Sequence, residues 1–479
     1  MQDLKLFMII IFILLLGVFL RVYRLDSLPS EMWGDVISHY KLTKAINDGE
    51  LFFDYRFGGD GPLISYFNSF FSKFFGLSFF TLKITTAIFG VVWILVNYNL
   101  SKALFKNKKI AYLSAFLTAS GFWCLTFSRQ GKPYLLAGFF TSLFLLNLIK
   151  KNFYLAGIIL GLGMYTQTAF WGMALFSLFN IRIILTFLII SFLFIKAIFE
   201  SPQILFNENS YLGEKFVGSL VFLDFKHYIL GVFNNYYRNL LALIGKGDPV
   251  FRHNIPYQSS LDPLMTIFFI IGTYFFIIKI IRQKDKNFIF ILLTIILAIL
   301  PTSLDVKNYL NNPSMGRTIG MVNAIYLITS FGIYRFSLFF KKNWRNLFII
   351  FVCFFILIIN FYLYFFIYPQ YLPNQNTPFG RIIAQALDKY NERIPVFLID
   401  CCWGDWGQPE PEGIKFQMKK QRSFFIITNK DLSFLQNIKK PILIIDSPNS
   451  PLRINKNHLT NEFIVKRKGY NIAKIIYVK

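Results

Sequence analysis

Seven long stretches of this chain carry no charged residue, and they constrain its fold more than any other feature. A helix needs about 20 apolar residues to cross the ~30 Å hydrocarbon core of a bilayer. Only helices and closed barrels satisfy their backbone in lipid, and these stretches lack the alternation of barrel strands. The chain is therefore predicted to be an α-helical polytopic membrane protein. The stretches are Leu6–Leu20, Ile84–Leu100, Leu135–Ile149, Ile183–Ile195, Leu264–Ile278, Phe288–Leu304 and Leu347–Tyr368.

The charge of the chain fits a membrane protein better than a nucleic-acid binder. The 479 residues carry a formal net charge of +25, but lysine and arginine cluster in short loops between the apolar stretches, as the positive-inside rule requires. No basic helix with interleaved aromatic residues stands outside the membrane, so we expect no nucleic acid among the partners. Walker, dinucleotide-binding and His-Glu-x-x-His motifs are absent from the sequence, and no cysteine or histidine spacing suggests zinc.

The basic loops also predict the topology of the chain. Loops with several lysines or arginines should be cytoplasmic, which places the long loops 22–78 and 200–260 and the tail after Tyr368 outside. The cytoplasmic loops are then 102–109, 150–151, 282–286 and 341–345.

The chain between the cytoplasmic pair Lys150-Lys151 and the outer loop at Glu200 must cross the membrane an odd number of times. Its length suits neither one helix nor two, so we predict three short spans and a turn outside at Gly163–Gln167. The total is about eleven spans. The three short spans are expected at about 153–165, 167–180 and 182–199.

The last segment, 369–479, changes character. Its apolar runs are short and are separated by polar turns and a helical pattern at Arg381–Tyr390. Short buried strands that alternate with helices predict a small extracytoplasmic α/β domain, which follows a membrane domain covering 1–368. Cys401 and Cys402 are expected to stay unpaired, because a disulfide between neighbours is strained. The apolar runs are Val396–Ile399, Phe424–Ile427, Ile442–Ile445 and Ile472–Val478.

The first outer loop, 22–78, is unusually long for a loop that follows a first span. A carboxylate at the mouth of a helix bundle is a candidate catalytic base, and Asp35 in Gly34-Asp35 is that carboxylate. Asp also favours the N-cap of a helix, here one predicted over Ile37–Ile46, and both roles are compatible.

Several segments follow one another in an order that matches a known family. They are Gly34-Asp35, Gly61-Pro62, Phe127–Lys132, Ala156–Ala169, Gly247–Pro249 with Arg252–Asn254, Pro301 and Arg317–Gly320. Each segment is weak by itself, and the ordered set over 1–340 resembles the GT-C membrane glycosyltransferases. It is most similar to glycosyltransferase family 39, the group of protein O-mannosyltransferases and of bacterial enzymes such as the lipid A aminoarabinose transferase.

The resemblance implies inverting transfer of a sugar from a polyprenyl-phosphate carrier, on the non-cytoplasmic face of a bacterial plasma membrane. It assigns Asp35 as the base that deprotonates the acceptor, while cations hold the departing phosphate. The expected partners are the lipid-linked donor, membrane lipids and an acceptor that is a glycan, a lipid or a protein. The resemblance assigns no cofactor. A divalent metal is an alternative, because GT-C families differ in whether they need one.

One position departs from the family pattern. The family usually has Asp-Glu where this chain has Asp35-Val36, so the second carboxylate is missing. Glu31 or Asp60 could replace it in space, or the chain could be a divergent or weakened member. The alternative functions are a transporter or flippase of lipid-linked sugars and a non-catalytic role in envelope assembly. No internal repeat typical of transporters is visible.

Four cations are candidates for binding the donor phosphate, because ammonium and guanidinium groups form charge-assisted hydrogen bonds with phosphate. Arg129 and Lys132 lie on the outer side, against the positive-inside trend, with interfacial snorkelling as the alternative. Arg317 begins a span, and a salt bridge to Asp305 is its alternative role. Arg252 in the second large loop could close over the sugar or simply be solvated.

Four further side chains are candidates for binding the acceptor or the sugar. His39 lies one helical turn beyond Asp35 and could share its face, or be an ordinary interfacial histidine. Asp60 precedes Gly61-Pro62, a pair that also favours a simple turn. The remaining candidates are Glu31 and His253, and no residue is assigned to a metal.

Overall fold

The computed structural model describes residues 2–56, 58–200, 223–307, 312–428, 441–450, 459–467 and 469–478. Part of the predicted second outer loop, 201–222, therefore lies outside the described residues. The described residues before 372 form helices joined by loops, and a five-stranded sheet with flanking helices follows.

Fifteen α-helices lie before residue 372 within the described residues, and the long ones coincide with the charge-free stretches. The helices are α1 (Gln2–Val22), α2 (Gly34–Asn47), α3 (Leu63–Phe75), α4 (Phe79–Phe105), α5 (Lys108–Ser120), α6 (Phe122–Phe127), α7 (Tyr134–Ile149), α8 (Phe153–Gly163), α9 (Ile181–Glu200), α10 (Phe225–Leu241), α11 (Pro263–Gln283), α12 (Lys286–Ser303), α13 (Val322–Ser337), α14 (Lys342–Tyr362) and α15 (Tyr368–Tyr371). A π-helical turn, Leu363–Ile367, joins the last two.

Local capping signals end and restart the helices where the chain reverses. At the start of α4 the Ser78 hydroxyl accepts a hydrogen bond from the Thr81 N–H over 3.2 Å. Lys106 then ends α4 in the left-handed region, and the Asn107 side chain caps α5 by accepting from the Lys109 N–H. These caps satisfy backbone donors that a helix end leaves unpaired. They produce the tight α4–α5 hairpin at the predicted cytoplasmic loop.

The apolar helices have the composition of membrane spans. In the described part of the chain, six helices are long and apolar enough to cross a membrane, and four shorter apolar helices accompany them. Between Lys151 and Glu200 the chain forms α8, a 3₁₀ helix (Thr168–Phe179) and α9, so the predicted three segments are present. The middle one is a 3₁₀ helix rather than an α-helix. The total number of spans stays a prediction.

The turn between α8 and the 3₁₀ helix contacts the first outer loop. The Gly61 N–H donates to the Thr166 carbonyl over 2.8 Å, and the Thr168 N–H donates to the Gly59 carbonyl over 2.9 Å. A Cβ at Gly61 would overlap the Tyr165 carbonyl, so only glycine allows this approach. The turn and the loop therefore lie on one face of the bundle, as the topology prediction requires.

The C-terminal segment forms the predicted small α/β domain. Its sheet has the order β2-β1-β3-β5-β4, with β1 parallel to β2 and β3 and with antiparallel pairs β3–β5 and β4–β5. The four predicted apolar runs are strands, and β4 was not predicted. The prediction for the adjacent cysteines was wrong, because Cys401 and Cys402 form a disulfide. The elements are α16 (Phe379–Leu387), β1 (Val396–Ile399), α17 (Pro411–Gln417), β2 (Phe424–Ile427), β3 (Ile442–Asp446), β4 (Leu459–Arg467) and β5 (Tyr470–Val478).

The α/β domain is held against the first outer loop by polar contacts. Arg381 pairs with Asp26 at 2.8 Å between Nη1 and Oδ2. The buried carboxylate of Glu31 accepts hydrogen bonds from the Gly380 N–H over 2.8 Å and from the Met32 N–H over 3.0 Å. Glu31 thus joins the two parts of the chain at the start of α16.

Glu31 gives this interface a pH dependence. Burial raises the pKa of Glu31 from 4.5 to about 7, although the Gly380 and Met32 N–H groups oppose the rise. A group with a raised folded pKa stabilises the fold below its unfolded pKa, and this contribution is lost as the pH rises through the folded pKa. Each pKa unit corresponds to about 1.4 kcal/mol.

We expect the melting temperature of the wild-type chain in detergent to fall relative to that of Glu31→Gln as the pH rises from about 5 to about 8, because only the wild type must ionise a buried carboxyl. Tryptophan fluorescence during heating measures both proteins under identical conditions. A difference between their melting temperatures that is constant across this range would contradict the assignment.

Candidate active site

Asp35 lies in the first turn of α2, where three distant parts of the chain meet. The N-cap position is occupied by Trp33, which makes no side-chain capping bond, so Asp35 is not the cap. Its Oδ2 instead forms an ion pair with the Lys132 Nζ and a second one with Arg252 Nη1 at 3.0 Å. About a quarter of its side chain, 27%, stays exposed.

The two cations decide the ionisation state of Asp35. Burial alone would raise the pKa of this carboxyl, but the charges of Lys132 and Arg252 outweigh it and hold the pKa well below its usual range. For Lys132, burial lowers the pKa, and Asp35 opposes that change. Asp35 is therefore an ionised carboxylate at neutral pH, and in this state two cations engage it.

Lys132 and Arg252 are placed by different elements. Lys132 lies in the turn between α6 and α7, is fully buried, and has its Nζ 5.9 Å from the ring centroids of both Trp33 and Tyr134. Arg252 lies in the second outer loop with 35% of its side chain exposed, and its carbonyl accepts a hydrogen bond from the Gln130 side chain. The α6–α7 turn therefore fixes both cations.

Asp35 lines a cleft of about 470 Å³ between the two outer loops. The cleft combines two carboxylates, two guanidinium groups, an imidazole and a phenol. Such convergence of charged groups in a cavity is typical of a catalytic or ligand site. It is lined by Asp35, Gly58, Gly59, Asp60, Tyr134, Val250, Arg252, His253, Ser314 and Arg317.

Asp60 also lines the cleft and contacts His39. The His39 Nε2 lies 2.9 Å from Asp60 Oδ2, and the imidazole is fully buried. His39 does not itself line the cleft. Asp60 also forms a β-bridge with Gln167, which connects the first outer loop to the start of the 3₁₀ helix.

His253 and Asp248 form a second buried pair beside the cleft. His253 Nδ1 lies 3.0 Å from Asp248 Oδ2, which also accepts the Met315 N–H over 2.7 Å. Burial lowers the pKa of His253, and Asp248 opposes this shift. With a carboxylate accepting at Nδ1, the neutral ring has its proton there, and Nε2 carries the lone pair.

Arg317 lines the cleft. It also forms the salt bridge to Asp305 that was predicted as its alternative role. Its Nη1 lies 3.1 Å from Oδ2 of the buried Asp305. Asp305 fixes the guanidinium at the edge of the cavity.

The position of Arg129 does not agree with the prediction that it binds the donor phosphate. Its guanidinium is fully buried, and its five N–H groups donate to the carbonyls of Leu20, Arg21, Tyr23 and Leu28 and to the Tyr364 hydroxyl. Every donor is used, so Arg129 could bind a phosphate only by releasing the end of α1. The structure gives it a structural role.

Of the remaining predicted residues, Glu31 also lies outside the cleft lining, at the interface with the α/β domain. Asp248, Tyr134 and Ser314 were not predicted as site residues. Asp248 does belong to the Gly247–Pro249 motif, so its signal was present in the sequence. Among the described residues, no group of three or more histidine, cysteine, aspartate or glutamate side chains could hold a metal ion.

Comparisons with known proteins agree with this architecture. Residues 60–206 match a protein-family model described as dolichyl-phosphate-mannose-protein mannosyltransferase. The fold matches ArnT from Cupriavidus metallidurans bound to undecaprenyl phosphate, with a TM-score of 0.57, 9% identity, and coverage of 98% of this chain and 97% of that chain. The apo state of ArnT gives the same TM-score and identity at 95% coverage of each chain. No curated protein sequence matches.

The family match and the shared fold confirm the predicted resemblance to the GT-C membrane glycosyltransferases. They also confirm the predicted fold class, a multi-pass helical membrane protein with a small C-terminal sheet domain.

We expect Arg129→Ala to destabilise the protein by about 3 kcal/mol or more, because buried carbonyls lose their donors. Arg129→Lys should recover only part of this, since an ammonium has three donors where five are used. Melting temperature and the yield of monodisperse protein in detergent measure the effect, with the exposed Arg393→Ala as the control. A stable Arg129→Ala protein with weakened donor binding would restore the phosphate-binding prediction.

Proposed function

We propose that this GT-C-type chain transfers a sugar, with inversion, from a polyprenyl-phosphate carrier to an acceptor on the non-cytoplasmic face of the membrane. The observation that carries the proposal is the ionised Asp35 held by Lys132 and Arg252 at the edge of a cleft that also contains Arg317. Base and phosphate-binding cations are thus within one site. The likeness to ArnT bound to undecaprenyl phosphate supports the same class of donor.

The donor phosphate would enter between Arg252 and Arg317. Guanidinium groups bind phosphate with two parallel hydrogen bonds, and both groups line the cleft. A phosphate there competes with Asp35 for Arg252, whereas Lys132 does not line the cleft and stays paired with Asp35. As Arg252 turns to the phosphate, the Asp35 carboxylate loses one of the two charges that lower its pKa and becomes a stronger base. Donor binding therefore prepares the base.

In the transfer step, an oxygen of the acceptor attacks the anomeric carbon from the face opposite the phosphate. Its proton passes to the Asp35 carboxylate, and the bond between the anomeric carbon and the phosphate oxygen breaks. The electron pair leaves with the polyprenyl phosphate, where Arg252 and Arg317 stabilise the charge. Attack from the opposite face inverts the configuration.

Asp60 and His253 would bind hydroxyl groups of the sugar or the acceptor. Both line the cleft, and each is oriented by a buried partner, Asp60 by His39 and His253 by Asp248. Asp60 presents a carboxylate and His253 the lone pair of Nε2, so both accept hydrogen bonds from hydroxyl groups. Glu31 takes no part in this binding.

The positive-inside rule supports a location of the cleft and the α/β domain on the non-cytoplasmic side of the membrane. The resemblance to bacterial members of the family supports the bacterial plasma membrane as that membrane. The charged residues of the cleft come from loops and helix ends, whereas a flippase is expected to have its substrate site near the membrane midplane. This difference favours transfer over transport.

Asp35→Asn should lower the transfer rate by a factor on the order of 100 to 10,000, because the amide cannot accept the acceptor proton. Membranes containing either protein receive a panel of radiolabelled polyprenyl-phosphate sugars, and the label that leaves the lipid fraction is counted. The melting temperature of Asp35→Asn controls for folding. Undiminished transfer would exclude Asp35 as the base; carrier binding without transfer by the wild type would favour a non-catalytic role.

Arg252→Ala and Arg317→Ala should each raise the KM for the lipid-linked donor by about tenfold or more, since a hydrogen bond to a charged group contributes about 1.5–3 kcal/mol. Initial rates over a range of donor concentrations give the KM. Arg282→Ala, which removes an equal charge from the exposed last turn of α11, should leave the KM unchanged. Unaltered KM values in both cleft variants would remove these residues from the phosphate site.

A further inference from the structure

The first turn of α2 receives a hydrogen bond from the α/β domain. Glu410, just before α17, accepts the Gly34 N–H at its Oε1 over 2.6 Å. This N–H is one of the donors that a helix start leaves unpaired, and Trp33 at the N-cap position does not satisfy it. A carboxylate 376 positions away in the chain therefore caps the helix turn that contains Asp35.

Glu410 is itself held in place. The Gln408 side chain donates to the same Oε1 over 3.1 Å, and the carboxylate packs directly on the Gly34 backbone, with Oε2 3.3 Å from the position of a Cβ there. The carboxylate is half-buried. Burial raises the pKa of Glu410; among the charged groups that face it, Asp35 adds to the rise and Arg252 opposes it.

The surrounding contacts keep this part of the domain against both sides of the site. Along α2, Lys41 pairs with Glu412 at 3.3 Å and the Tyr40 ring stacks on Phe416 at 4.4 Å. In the second outer loop, Phe251, the neighbour of Arg252, packs on the ring of Trp406 at 4.9 Å. The segment 406–410 thus contacts the elements that hold both partners of the Asp35–Arg252 ion pair.

We propose that Glu410 is a positioning residue for Asp35, so that the α/β domain completes the active site of the membrane domain. Its carboxylate fixes the Gly34 peptide and hence the direction in which Asp35 leaves the helix. The proposal rests on the proposed function of Asp35 as the base.

Glu410→Ala should lower kcat by about 10- to 100-fold at unchanged donor KM, because a small misplacement of a reacting group costs rate rather than donor binding. Glu410→Gln should recover most of this loss, since its amide oxygen still accepts the Gly34 N–H. Glu412→Gln is the matched control: it removes a neighbouring carboxylate that also contacts α2, but from an exposed ion pair, and should change kcat less than about twofold.

A double mutant separates positioning from a general structural role. If Glu410 acts through Asp35, Glu410→Ala should have no further effect on the residual rate of Asp35→Asn. A lower melting temperature with wild-type kcat per folded molecule, a raised donor KM without a change in kcat, or additive losses in the double mutant would each overturn the proposal. Active Asp35→Asn would instead refute the proposed function, whatever Glu410→Ala does.

Discussion

The site depends on the pairing of one partly exposed carboxylate with a buried ammonium group. Lys132 is fully buried in the turn between α6 and α7, and burying an unpaired charge is costly in free energy. The Asp35 carboxylate supplies the opposite charge. The first turn of α2 must therefore lie against the turn between α6 and α7. Arg252 joins the same carboxylate and brings in the second outer loop. These three segments form one part of the cleft lining, and Gly58–Asp60, Ser314 and Arg317 complete it.

Arg129 and Lys132 are buried cations of one short segment, and they have different kinds of hydrogen-bond partner. Arg129 donates to four backbone carbonyls and a tyrosine hydroxyl, as Lys83 donates to the carbonyls of Leu25, Asp26 and Pro29. Backbone carbonyls are fixed by the fold, so Arg129 and Lys83 hold chain segments together. Lys132 pairs instead with Asp35, a carboxylate on the wall of the cleft. Three positions along the chain thus separate a cation held by carbonyls from one held by the proposed base.

The α/β domain contacts the loop of the membrane domain that carries the proposed base. Arg381, Gly380 and Glu410 contact the first outer loop at points spread from Asp26 to Gly34. In the proposed mechanism, the orientation of the base therefore depends on a domain that follows the last membrane helix. This dependence is a physical reason for the two parts of the chain to be present in one polypeptide.

Hydropathy and charge along the chain predicted the membrane helices, the three segments between Lys151 and Glu200, and four strands of the C-terminal sheet. These signals act over a few residues and can be read from the sequence. The sequence also identified Asp35, Asp60, Arg252, His253 and Arg317, which line the cleft. The folded structure was needed to show that backbone groups hold Arg129 and Glu31, that His39 pairs with Asp60, and that Glu410 reaches Gly34. Those roles depend on which partner uses each donor or acceptor, and partners distant in the chain leave no local pattern.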